Sequence, residues 1–173
     1  MSTKKLVLVS LFTGISLILS ITIYFPILPQ ASYLLYDPGD IPLLIVALYI
    51  GVFEGLLATL IVSILMALIT GQGGPIGALM HFIATGTLIS VAGLFFKRMK
   101  KLEIPLILGT LSMAGVMSIA NLIFTPIYLG VSVKEVLALI VPVIIPFNLI
   151  KAGINSFLTY ILTKVIPFSS YLK

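Results

Sequence analysis

Cysteine and tryptophan are absent from the 173 residues, histidine occurs once, and there are only five acids. Each shortage closes off a kind of chemistry. Without cysteine there is no disulfide, no thiol nucleophile and no thiolate metal ligand. With a single histidine, a zinc site would have to be completed by carboxylates, an unusual donor set. No H-E-x-x-H or G-x-S-x-G motif occurs. No G-K-S/T follows the one glycine cluster, so no nucleotide-hydrolysing motor is expected in this chain. Asp37 and Asp40 are three apart in one proline–glycine turn, poorly placed to clamp a substrate from opposite sides. The chain does not read as an enzyme; the variant of that reading kept open is an intramembrane enzyme using His81 with an aspartate.

Charge is scarce as well. Charged residues make up 9% and hydrophobic ones 60%, where a soluble domain carries roughly 25% charged residues. Mean hydropathy is +1.28. One water-soluble core could not hide this much apolar surface, so the bilayer is the solvent. Without tryptophan, tyrosine and phenylalanine must supply the interfacial aromatics. The net charge of +5 does not point to nucleic acid, because the positive residues cluster at the ends of apolar runs.

What is present is a series of apolar runs broken by proline, glycine and charge. A span needs about 20 apolar residues. The runs place helices near 6–24, 41–50, 52–70, 76–96, 104–128 and 146–165 in one membrane domain, 1–173. The fold class is all-α, a six-helix transmembrane bundle. The first run follows Lys4 and Lys5, is long for a signal peptide and has no A-x-A site, which favours an uncleaved helix. The last apolar region, 136–165, contains Pro142 and Pro146, so a broken start to its helix is expected. With both termini cytoplasmic, Lys4, Lys5, Lys97, Arg98, Lys100, Lys101, Lys164 and Lys173 lie inside, as the positive-inside rule requires.

The second run is ten residues, about 15 Å of helix, or half the hydrocarbon core. Something non-helical must complete it at membrane depth, and such backbone is tolerated only where it is buried or lines a cavity. The candidate is the stretch before it, FPILPQASYLLYDPGD, residues 25–40. It holds Pro26, Pro29 and Pro38, yet Ile27, Leu28, Tyr33, Leu34, Leu35 and Tyr36 are apolar or aromatic. It reads as a long external loop folded inward as a lid. GQGGPIG, residues 71–77, reads as a second external turn, whose bare backbone around Gly74 could approach a ligand.

This topology brings the costly polar groups to one depth. His81, Asn121, Asn148 and Lys151 fall near the outer ends of their helices, beside Asp37 and Asp40. Ionisable groups inside a membrane protein face an interior or a wet cavity. Asn148 and Lys151 share a helical face, with Asn155 a turn further on. Asp37 or Asp40 could balance Lys151. Structural roles stand beside these: a snorkelling Lys151 paired for stability, a hydrogen-bonded packing His81, an interfacial Glu54. On helix 1, Ser10 and Gly14 are four apart, a small-residue face that admits either a helix of the same chain or one from a partner.

The chain resembles the substrate-binding membrane subunits (S components) of energy-coupling factor transporters, and most closely the riboflavin-specific ones. The resemblance runs through FPILP and YLLYDPGDIPLLI, GQGGPIG, the basic loop after helix 4, LGTLSMAGVMSIANLIFTPIY and PFNLIKAGINSFLTYILTK. Ser10 and Gly14 look like that family's A-x-x-x-A coupling motif, with two other small residues in place of alanine. The resemblance implies a prokaryotic plasma-membrane subunit that takes up riboflavin as transported ligand, with no catalytic cofactor. Its partners would be a transmembrane coupling subunit, two cytoplasmic ATPases and membrane lipid. Asn121, Asn148 and Lys151 would contact the flavin under the first loop. The pocket chemistry agrees: amides and an ammonium suit the uracil-like ring edge, and Leu28, Leu34, Leu35 and Tyr36 could cover the ring. Asp37, Asp40 or the 71–77 backbone are candidates for the ribityl hydroxyls. An S component for thiamine, pantothenate or biotin would share the fold and differ only in the pocket.

Overall fold

The computed structural model describes residues 3–71, 73–99 and 101–168. Gln72 of the glycine-rich turn, Lys100 of the basic loop and the C-terminal Lys173 lie outside the described residues. The helices are α1 (Thr3–Thr22), α2 (Asp40–Tyr49), α3 (Val52–Thr70), α4 (Gly74–Met99), α5 (Glu103–Leu129), α6 (Val133–Leu139) and α7 (Ile145–Val165). Five stretches are long and apolar enough to cross a bilayer: α1, α3, α4, α5 and the compound Val133–Val165. Each exposes large apolar side chains such as Leu11, Leu68, Ile119 and Val141, the pattern of helices solvated by lipid.

The ten-residue α2 is the hub. Its sequence DIPLLIVALY is apolar all round, and a helix of that kind belongs in a core. Every residue from Asp40 to Leu48 is buried, and α1, α3, α4 and α7 all pack against it. Close approach depends on missing side chains. A Cβ at Gly93 would sit 2.6 Å from Val52 and 3.1 Å from the Ala47 carbonyl oxygen. One at Gly109 would lie 2.8 Å from the Leu88 carbonyl oxygen and 3.3 Å from Ala92 Cβ. Neither backbone oxygen can move aside cheaply. Gly109→Val is therefore expected to cost roughly 1–3 kcal/mol by overpacking, read as a lowered melting temperature in detergent.

Three local features differ from the sequence expectation. The 25–40 loop carries a small antiparallel pair, β1 (Phe25–Pro26) with β2 (Leu35–Tyr36), in register Phe25 to Tyr36. Prolines hold the chain extended there, and a proline is tolerated in a two-strand ribbon because its missing donor can face outward. A 3-10 turn, Pro29–Ala31, forms the tip. The fold remains all-α in class, with this one short hairpin inside the loop.

Secondly, α4 begins at Gly74, two residues before the expected Ile76, because Pro75 is acceptable in the first turn of a helix. The turn proper is shorter, with Gly71 and Gly73 at φ 69° and 64°. Thirdly, helix resumes well before Pro146. Ser132 and Glu135 form a capping box on α6, and a π-helical turn, Ile140–Ile144, joins α6 to α7. The Ile145 N–H donates to the Ile140 carbonyl, five residues back. Pro142 and Pro146 remove two donors one turn apart, and the widened turn absorbs the mismatch.

Candidate ligand-binding site

The polar network begins at the start of α2. Asp37, in the last turn before it, lies 2.6 Å from Lys151 Nζ on α7. Its other oxygen accepts from Ser20 on α1 at 2.9 Å and from the Gly39 N–H at 3.0 Å. Ser16, one turn below Ser20, donates to the Gly39 carbonyl at 2.7 Å. Asp40, fully buried, accepts from Thr85 of α4 at 2.6 Å and from Asn155 Nδ2 of α7 at 3.0 Å. Asn155 also donates to the Asp37 carbonyl at 3.0 Å and accepts from Tyr36 at 3.0 Å. Three separate helices, α1, α4 and α7, are thereby tied to the last six residues of the loop. Each charge has a partner, as burial demands.

Above this layer lies a cavity of about 240 Å³. Tyr33, Leu34, Leu35 and Asp37 close it from the loop side. Asn121, Asn148, Lys151 and His81 project from the helices that enclose it. The walls between them are apolar. Four of the six methionines (Met66, Met80, Met113 and Met117) line it, with Phe124 and Phe147. Methionine is unbranched and polarizable, so it conforms to a flat or irregular guest. Each asparagine donates one amide N–H to a carbonyl four residues back, Asn121 to Met117 and Asn148 to Ile144, both at 2.8 Å. Thr125 donates to the Asn121 amide oxygen at 2.7 Å. These bonds orient the amides and leave each a second N–H.

The structure separates the residues that the sequence grouped. Asn121, Asn148, Lys151, Asp37, His81, Leu34 and Leu35 share the cavity. Asp40 and Tyr36 do not line it. Their polar atoms are spent on Thr85 and Asn155 below it, and the Tyr36 ring packs against Phe25 at 5.3 Å. Leu28 sits at the half-buried tip of the loop, away from the wall. Gly73 and Gly77 line the cavity; Gly74 faces a separate apolar groove between α3 and α4. Ser10 and Gly14 are exposed, and a Cβ on Gly14 meets nothing within 4 Å, so no described residue covers that face.

Sequence reasoning passed over the methionines. A signal was there: Met113, Met117, Asn121 and Thr125 recur at intervals of four, one stripe of α5. It also passed over Ser20 and Thr85, which hold Asp37 and Asp40. Asp37, Asp40 and His81 each bring one potential ligand atom within 4.8 Å of the others. The Lys151 ammonium already stands where a cation would be drawn, and the carboxylates are committed to hydrogen bonds, which does not suit a metal.

A family model described as the ECF transporter substrate-specific component matches residues 4–163. A protein named riboflavin transporter FmnP, from Bacillus subtilis (strain 168), is 34% identical over 164 residues, covering 87% of this chain and 85% of that protein. One named riboflavin transporter RibU, from Staphylococcus aureus (strain TCH60), is 32% identical over 179 residues, covering 98% and 93%. Among solved structures, one described as the S component of a bacterial ECF transporter superposes with a TM-score of 0.84 at 28% identity, covering 100% of this chain and 99% of that one. The chain belongs to the family of ECF transporter substrate-specific components, which are transport subunits and not enzymes.

Proposed function

We propose that this chain is the riboflavin-binding membrane subunit of an ECF-type vitamin uptake transporter. The observation that carries the reading is the cavity itself: an apolar, methionine-rich slot with Asn121, Asn148 and Lys151 as its placed polar groups. Such a design, apolar walls with a few convergent polar groups, is the usual one for a small molecule. The isoalloxazine ring is a flat apolar slab with one hydrogen-bonding edge. Amide and ammonium N–H groups suit the carbonyl oxygens of that edge, and an amide oxygen suits the N–H between them.

Loop residues 27–35 act as the lid. The cavity is smaller than the roughly 300–1,000 Å³ of ordinary ligand sites, so a flavin requires Tyr33–Leu35 to move outward. The far end of the loop stays put, held by Asp37, Asn155 and Asp40. Both termini face the cytoplasm of a prokaryotic cell, six helices form one domain, and the lid faces outside. Uptake is driven by a transmembrane coupling subunit and two cytoplasmic ATPases. The exposed Ser10–Gly14 face of α1 is their docking surface.

The test is a riboflavin titration of the detergent-solubilised protein, followed by quenching of flavin fluorescence. Saturable quenching that thiamine, pantothenate and biotin do not reverse is the expected result. A colourless protein that leaves the fluorescence unchanged sinks the reading. Displacement by one of the other vitamins transfers the site to that ligand.

A further inference from the structure

Helix α1 is the least buried of the candidate spans. Of its twenty residues only Val9, Ser16 and Ser20 are buried. Its C-terminal half is tied by hydrogen bonds, from Ser16 to the Gly39 carbonyl and from Ser20 to Asp37. Its N-terminal half is held differently, with an aromatic side chain from beyond α7 packed against it.

The order Val165, Ile166, Pro167, Phe168 accounts for that contact. A residue before proline is kept out of the helical region. Ile166 is accordingly extended, at φ −106° and ψ 118°, and α7 stops at Val165. The Phe168 N–H then donates to the Ile166 carbonyl at 2.8 Å, closing a three-residue turn around Pro167. The turn lays the Phe168 ring between α1 and α2. It meets Phe12 of α1 edge-on, with centroids 6.1 Å apart, and Tyr49, the last residue of α2, at 5.9 Å. Tyr49 in turn meets Phe96 of α4 at 5.5 Å. Leu8, Ile41, Ile45 and Ile50 belong to the same cluster.

Phe12 is two residues from Ser10 and two from Gly14. Two steps turn a helix by roughly 200°, so the ring and the small residues lie back to back. Phe12 is half-buried, while Ser10 and Gly14 are exposed. Phe168 therefore stands behind the face that the functional reading gives to the coupling subunit.

We propose that Phe168 is a positioning residue for coupling: it backs the N-terminal half of α1, so that a helix of the coupling subunit meets the Ser10–Gly14 face on a fixed support. The inference rests on that docking reading and adds the group that holds the surface in place. The ligand site is outside its reach, because the serines anchor the other half of α1 independently.

Phe168→Ala should lower whole-cell riboflavin uptake roughly two- to tenfold, the size of one lost aromatic pair, with riboflavin binding in detergent unchanged. Phe168→Tyr, which keeps the ring, should take up riboflavin as the wild type does. The position of α1 is read directly. The chain has no cysteine, so spin labels can be placed at Leu11→Cys on α1 and Ile107→Cys on α5, both exposed. Their distance distribution should be narrow with Phe168 present and broaden in Phe168→Ala. An unchanged distribution overturns the proposal, as does normal uptake by Phe168→Ala or an equal loss with Phe168→Tyr. A parallel fall of binding and melting temperature overturns it too, since Phe168 then serves the whole fold. If Gly14→Leu abolishes uptake and Phe168→Ala does not, only this inference fails. If Gly14→Leu takes up riboflavin normally, the docking reading fails and this inference with it. If the wild type binds no riboflavin, the functional reading itself fails.

Discussion

Lys151→Met is expected to abolish riboflavin binding and to destabilise the protein by roughly 3–5 kcal/mol, the cost of leaving one member of a buried ion pair behind. Lys151 and Asp37 are both buried and 2.6 Å apart. Without the ammonium, the Asp37 carboxylate keeps only the Ser20 hydroxyl and the Gly39 N–H. The two effects are separable. Replacing the whole pair, Lys151→Met with Asp37→Leu, removes the stranded charge as well. Apolar replacements of buried pairs are often neutral or stabilising, so the melting temperature should recover while binding stays lost. If the double variant regains binding, Lys151 serves the fold and not the ligand. If Lys151→Met melts normally, the pair is not buried as described. Both readouts come from one detergent preparation, by thermal melt and by flavin quenching.

Gly14→Leu is expected to abolish vitamin uptake by whole cells while leaving riboflavin binding and melting temperature as in the wild type. The separation follows from the two faces of α1. Ser16 and Ser20 point inward, to Gly39 and Asp37. Gly14 points the other way, and a side chain there meets no described atom. A leucine therefore meets no described atom of the isolated subunit and would block the close approach of a coupling helix to this face. Ser16→Leu is the contrasting variant: it puts a large side chain where a fully buried hydroxyl now sits, and should lower the melting temperature and the affinity together. Normal uptake by Gly14→Leu would move the docking surface elsewhere on the subunit.

The Asp37–Lys151 pair shows how far a chain can be read before it is folded. That Lys151 needs a carboxylate follows from charge and burial alone. Which acid supplies it does not, because Asp37 and Asp40 lie three residues apart in one turn and either could reach by sequence separation. Packing decided: Asp40 starts α2 and is drawn into the core against Thr85 and Asn155, whereas Asp37 precedes the helix and faces α7. Tyr36 and Leu35 divide for the same reason. In an extended segment neighbours point to opposite sides, so one reaches Asn155 and the other the cavity. The methionine walls were hidden differently. In a chain that is 60% hydrophobic, an apolar residue in a wall looks like one facing lipid.

The apolar runs and their lengths sufficed for the all-α membrane class, because span length is set by the bilayer and helix is the way an isolated run can satisfy its backbone there. The half-length α2 sufficed for an inward-folded loop by the same backbone argument. The local pairing inside that loop, the π-helical turn before α7, and the identity of each acid's partner came only with the tertiary structure. They depend on which distant groups lie within about 3 Å, the range of a hydrogen bond, and no spacing along the chain carries that distance.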